Sequence, residues 1–242
     1  MLEGTRVARL RAGVLMLLAC ALALPGEPPA AKAADGPLSQ EEIKEALRTV
    51  LRNGAKSAVA KLGKEDGFLK DQAVKIALPA HLEPTDPEER TAKADLAAAR
   101  FVRLLNRAAE TAVAGTGEIL AEAVAELALG DAREILKGPA DAAAQYFKRT
   151  SSESLEKRLL PLVKQAALDV GAADAYRVLA KRAALGVGKR PAAGSFDPNL
   201  YITQKTLDGL FVKIAEEEKR IREDPASRTS EALKKVFGAA AK

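Results

Sequence analysis

The stretch NLYITQKTLDGLFVKIAEEEKRIRED, Asn199 to Asp224, decides the fold. At 100° per residue, Leu200, Thr203, Leu207, Leu210, Phe211, Ile214 and Ile221 fall on one stripe of a helix, and Pro225 stops it. A helix with one apolar stripe must bury that stripe against other elements. Glu218 falls near the centre of the stripe. Ile221 continues the stripe beyond it, so the helix is still in the core there. A carboxylate in that place needs a cation or hydrogen bonds, or it takes up a proton. Arg149, at the end of an upstream helix, is a candidate partner. Glu218 reads first as a structural ion pair or a partly exposed helix end, and second as a site acid or ligand anchor.

The same 3.6-residue period recurs along the chain, and the strand period is nearly absent. Ser39-Gln40-Glu41-Glu42 reads as a capping box. The helix it opens has the stripe Ile43, Leu47, Val50, Leu51, Ala58, Leu62 and ends at Gly63. Ala73 to Pro79 reads as a short extended or one-turn piece. Asp86 as cap and Pro87 at the first helical position predict a long helix to about Val113, burying Phe101, Leu104, Leu105, Ala108 and Ala112. Thr116 and Asp131 open the next two helices, the second ending at Lys137-Gly138. Pro139 opens another, Ala140 to Arg149. Thr150-Ser151-Ser152-Glu153 reads as a second capping box, and Pro161 should kink the helix that follows it. Ala172 to Leu185 is helical, Gly186 to Pro198 is the candidate hinge, and Thr229 to Phe237 closes the fold. The sum is an all-α single domain over 39–238, an irregular, partly orthogonal bundle of about eight or nine helices, followed by a tail at 239–242.

The first 33 residues read as a secretory signal. Arg6, Arg9 and Arg11 make a basic start, Val14 to Leu24 is an apolar run of 11 residues, and Ala31-Lys32-Ala33 supplies a cleavage site. A bilayer span needs about 20 apolar residues, so the run is too short to be one. Residues 34–38 are then a linker. Leu17-Leu18-Ala19-Cys20 also resembles a lipobox, in which Cys20 takes a lipid and tethers the domain to a membrane. The apolar residues after Cys20 fit that reading poorly, and simple cleavage near Ala33 is preferred.

Composition excludes several chemistries. The first 33 residues hold four basic and two acidic residues, which leaves 34 basic and 31 acidic of the 38 and 33 in the chain. A net charge of +3 with both signs interspersed does not point to nucleic acid. Cys20 is the only Cys and His81 the only His. With Cys20 inside the signal, the mature domain is expected to hold no disulfide and no thiol nucleophile, and a single His cannot build a multi-His zinc site. Glu216-Glu217-Glu218 cannot hold a metal, because consecutive helical residues point 100° apart. No cofactor is expected, and His81 reads as a solvated loop residue.

Several strings occur in order: Gly63-Lys64-Glu65-Asp66-Gly67-Phe68; Asn106-Arg107-Ala108-Ala109-Glu110; Leu136-Lys137-Gly138-Pro139 with Asp141 and Gln145-Tyr146-Phe147-Lys148-Arg149-Thr150; Leu160-Pro161; Leu207-Asp208-Gly209-Leu210-Phe211; Glu216-Glu217-Glu218-Lys219; and Lys234-Lys235-Val236-Phe237-Gly238. Together they resemble the bacterial family called domain of unknown function 4197, over roughly Ile43 to Gly238. The resemblance implies an exported helical envelope protein and no particular activity. Ala80 to Thr91 departs from the family pattern.

Asn106, Arg107 and Glu110 are predicted to lie away from the apolar face of their helix, with Arg107 and Glu110 as a surface pair. The alternative is a polar groove in which Asn106 and Arg107 meet Tyr146 and Asp208. The leading functional expectation is an exported, periplasmic, non-enzymatic binding or interaction protein of the envelope. Its partner would be another envelope protein or a small molecule. The alternatives are a carrier of a small apolar molecule or lipid, and a carboxylate-dependent enzyme using Glu218 with Tyr146 or Arg149.

Overall fold

The computed structural model of the chain describes residues 38–83, 91–185 and 196–239. Among them are eight α-helices and no strand. They are α1 (Gln40–Leu62), α2 (Ala92–Ala114), α3 (Gly117–Ala125), α4 (Ala132–Lys137), α5 (Ala142–Asp169), α6 (Ala172–Leu185), α7 (Pro198–Glu223) and α8 (Glu231–Ala239). Short 3-10 turns lie at Ala80–Leu82 and Pro225–Ser227. The signal, the Cys20 lipobox and most of the 34–38 linker lie outside the described residues. So do the Asp86–Pro87 start, most of the Gly186–Pro198 hinge and the last three residues.

α7 is the central element and packs most extensively on α1 and α5. Its buried stripe includes Ile202, Leu207, Leu210, Phe211, Ile214 and Ile221. The Asp197 carboxylate caps it by accepting from the amides of Asn199 and Leu200. α1 presents Ile43, Leu47, Val50, Leu51, Ala58 and Leu62, all buried. The predicted capping box is present, with Ser39 Oγ accepting from Glu42 N and Glu42 accepting from Ser39 N at 2.9 Å. Gly54 lets α1 approach α7, since a Cβ there would sit 3.0 Å from Ile214 Cγ2. Phe147 of α5 meets Phe211 edge-on at 5.6 Å between ring centres. α2 lies between α5 and α6, packed on both. The described residues from Leu38 onward form one compact unit.

The structure changes the expected helix boundaries in two places. α2 starts at Ala92, capped by Thr91 Oγ1, which accepts from Ala94 N. Residues 140–169 form no break at Thr150. The Thr150 and Ser152 hydroxyls donate back to the carbonyls of Tyr146 and Lys148, four residues earlier, at 2.9 and 2.5 Å. Hydroxyls bonded that way cap nothing, so α5 runs on through Pro161 to Asp169. Thr116 likewise donates to Val113 O and does not cap α3.

Candidate functional site

The run Glu216-Glu217-Glu218 on α7 binds three different cations. Glu216 pairs with Lys213 at 2.8 Å, Glu217 with Arg220, and Glu218 with Arg222 at 2.8 Å. These spacings of three and four place each pair on its own face of the helix. Glu218 is fully buried, at 0% exposure. Its carboxylate accepts from the backbone amides of Ala143 at 3.0 Å and Ala144 at 2.7 Å. Those amides belong to the first turn of α5, where N–H groups have no partner within the helix and the helix dipole is positive. Arg222 Nε donates to Glu218 at 2.9 Å, while Nη1 and Nη2 donate to Leu136 O at 2.8 Å and Ile135 O at 3.1 Å. Those carbonyls end α4. The guanidinium also stacks on Phe237 of α8 at 5.2 Å. Burial pushes the Glu218 carboxyl up from its ordinary value, while the Ala143 amide, Arg222 and the Ala144 amide oppose the rise.

Arg149 is not the partner of Glu218. It is exposed and stacks on Tyr146 at 5.2 Å. Tyr146 donates its phenol to Ala128 O at 2.5 Å, and Asp208 makes an exposed pair with Lys148 at 2.8 Å. Glu218, Tyr146 and Arg149 therefore form no common cleft among the described residues. The true partner sits four residues downstream of Glu218, a spacing visible in the sequence.

A second polar constellation holds the irregular segment between α1 and α2. Asn106 and Glu110 are buried, contrary to the exposed face expected for them. Asn106 accepts from Ile76 N and donates to Ile76 O, both at 2.9 Å, so it pairs with that backbone as a strand would. Its NH2 also donates to Val102 O at 2.7 Å. Glu110 accepts from the amides of Phe68 and Leu69 at 3.0 and 3.1 Å. Arg107 bridges Glu110 at 2.5 Å, Asp66 at 2.6 Å and Glu65 at 3.0 Å. Lys213 of α7 reaches Asp71 at 2.7 Å. The bond to Lys213 holds the Asp71 carboxyl below the ordinary range. Lys70, and then Arg107, do the same for Asp66. Asp66 takes a left-handed conformation at φ 65°. At Gly67 a Cβ would sit 2.5 Å from Lys61 O and 2.8 Å from Leu62 O, so only glycine fits. Tyr146 and Asp208 take no part in this constellation, and the groove considered for them with Asn106 and Arg107 does not form. His81 packs its ring on Phe196 at 4.3 Å, in a cluster with Tyr176, and is not simply a solvated loop residue.

These constellations saturate their own donors and acceptors. A pocket of about 500 Å³ at the junction of α1, α4, α7 and α8 is different. It is partly open to solvent, and Leu38, Leu136 and Phe237 line it together with Arg133, Lys137 and Arg222. Its described lining holds three cations and no carboxylate. Arg222 forms one wall, with its charge answered by Glu218 beneath. Arg133 uses one nitrogen to donate to Leu38 O at 2.8 Å. Among the described residues the Lys137 ammonium makes no ion pair or hydrogen bond. Among the described residues no group of three His, Cys, Asp or Glu side chains converges as a metal site, and no helix is long and apolar enough to cross a membrane.

Comparison with curated proteins and with solved structures finds no match. A family model described as a protein of unknown function (DUF4197) matches residues 37–238, which cover all eight helices but for Ala239, the last residue of α8. The strings that meet at the two buried constellations lie within that match, and the chain belongs to the DUF4197 family.

Proposed function

We propose that this chain is an exported, non-enzymatic binding protein of the cell envelope. One observation carries the binding reading. The buried polar side chains of the two constellations are committed to holding helices and a loop in place, and the cationic, partly apolar pocket of about 500 Å³ is left open. Ligand pockets fall in the range of about 300–1,000 Å³, with apolar walls and a few charged groups. Glu218, the residue an enzyme reading would use, is sealed from solvent behind Arg222 and the first turn of α5. The basic start, apolar run and Ala31-Lys32-Ala33 of the leader support export.

The pocket also favours the carrier form of this reading, in which the ligand is a small molecule and not a protein. Native mass spectrometry of the protein purified from an envelope fraction tests both parts. The expected spectrum shows a chain beginning near Ala34 with a non-covalent small molecule attached. A chain retaining Met1 in the cytosolic fraction would refute export. A diacylglyceryl adduct on Cys20 would place it in the envelope as a tethered protein instead. A ligand-free protein that binds no envelope extract component would refute binding.

A further inference from the structure

Resting on that binding reading, we infer that the pocket between α4 and α8 takes an anionic amphiphile with a single acyl chain. The cations Lys137 and Arg133 would receive its head, and Leu38 and Leu136 its chain. Charge is the first argument. Among the described lining residues, three cations and no acid face one opening in a protein whose charges are otherwise interspersed. The three cations are not equivalent. Arg222 is bonded to Glu218 and to two carbonyls of α4, so it is fixed as a wall. Among the described residues the Lys137 ammonium has no ion pair or hydrogen bond, and Arg133 has donors to spare. A fixed wall beside two available donors suits a carboxylate or phosphate oxygen, which gains charge-assisted hydrogen bonds that a neutral head would not.

Shape and polarity are the second argument. Leu38 and Leu136 are only partly buried where they line the pocket, whereas Ile43 and Phe237 belong to the buried core. The two leucines give the pocket its open apolar side, and a volume of about 500 Å³ has room for an alkyl chain but not for a folded partner, since a stable protein interface buries about 1,200–2,000 Å².

The test titrates the purified mature protein with dodecanoate, dodecyl phosphate, dodecanol and inorganic phosphate by calorimetry. Both charged amphiphiles should bind in a saturable one-to-one manner. Comparing the two heads separates a fatty-acid source from a phospholipid-derived one. Dodecanol should bind about tenfold more weakly, and inorganic phosphate should give no binding heat. Lys137→Gln should weaken both anions about tenfold, leave dodecanol unchanged and leave the melting temperature unchanged. Dodecanol binding as tightly as the anions would overturn the head-group inference while the binding reading stands. So would a co-purifying peptide or second copy of the chain seen by native mass spectrometry. Phosphate binding as tightly as dodecyl phosphate would overturn the chain site. Binding of none of the four probes, with no co-purifying molecule, would overturn both the inference and the reading it rests on.

Discussion

Glu218 and Arg222 stand one helical turn apart on α7 and between them close the ends of two other helices. The carboxylate takes the free amides of α5, the guanidinium takes the free carbonyls of α4, and the two meet at 2.8 Å. Each helix end that meets them is one whose own backbone groups need an outside partner. The pair therefore fixes where α4 stops and α5 begins, and it places Arg222 in the wall of the open pocket.

Removing either member should destabilise the fold, and not equally. All the donors around Glu218 are N–H groups, so the amide NH2 of a Glu218→Gln variant must face at least one of them. The expected loss is about 1–3 kcal/mol in urea denaturation. Arg222→Met leaves a buried carboxylate without its cation and should cost about 3–5 kcal/mol. A carboxyl raised above its ordinary value is most stabilising when protonated. The Arg222→Met deficit should therefore shrink as pH falls towards the ordinary glutamate range and widen as pH rises. Unchanged melting of both variants would show that the pair is not buried in solution.

Asn106→Ala should release the segment between α1 and α2. It removes the acceptor for Ile76 N and the donor for Ile76 O, leaving both backbone groups without that partner in a buried place. The expected cost is about 2–3 kcal/mol. Hydrogen exchange gives the specific readout, since the Ile76 amide should lose protection while amides in the middle of α7 keep theirs. Equal protection at Ile76 in both proteins would refute the strand-like role of Asn106.

How far the sequence foretold this arrangement depended on what kind of contact each residue makes. The α7 stripe and the Ser39 capping box depend on neighbours within a few positions, and both are present. The burial of Glu218 followed from its place between Ile214 and Ile221 on that stripe. Its partner was misassigned because Arg149 was sought on another helix, when Arg222 stood four residues away. Asn106 and Glu110 misled for the opposite reason. They face away from the helix's own apolar stripe, and what covers them is backbone from residues 68, 69 and 76, which helical periodicity does not register. The Thr150 break failed because Ser and Thr serve as caps or bond back to the preceding turn with the same sequence pattern. The pocket could not be read at all, since its lining comes from four helices and the chain at Leu38.

Thr206 should tolerate the loss of its hydroxyl. It is fully buried on α7, and among the described residues its Oγ1 has no hydrogen-bond partner. A buried hydroxyl without a partner costs free energy that a methyl group of the same size does not. Thr206→Val should therefore raise stability by about 1 kcal/mol, read as a higher urea midpoint with an unchanged slope. A lower midpoint would mean that the hydroxyl finds a partner in solution.

Acid should loosen the tie between α1 and α8. Glu42 belongs to the capping box and also pairs with Lys235 at 2.5 Å. The Lys235 ammonium, and then the Ser39 amide, hold the Glu42 carboxyl down at about 2. A depressed carboxyl contributes stability above its unfolded value of about 4.5, and that contribution is lost as pH falls from there towards about 2. Glu42→Gln should flatten the melting profile over that window relative to the natural chain. The same variant should change the profile little above pH 5, where the unfolded carboxyl is already ionised. A parallel slope in both proteins below pH 4 would assign the acid loss to other carboxylates.

Gly209 and Phe68 should behave as one unit. Gly209 lies on α7, and a Cβ there would come within 2.6 Å of Phe68 Cε1 and 3.1 Å of Phe68 Cζ. Phe68 is fully buried in the segment that Glu110 holds, so its ring has little room to withdraw. Gly209→Ala should cost about 1–3 kcal/mol by overpacking, even though alanine is the better helix former by about 1 kcal/mol. Phe68→Leu alone should also destabilise, because it removes part of a filled ring site. The double variant should be more stable than the sum of the two losses, since the smaller side chain makes room for the new methyl group. Additive losses in the double-mutant cycle would show that the ring and the glycine do not touch, and that the segment after α1 sits elsewhere on α7.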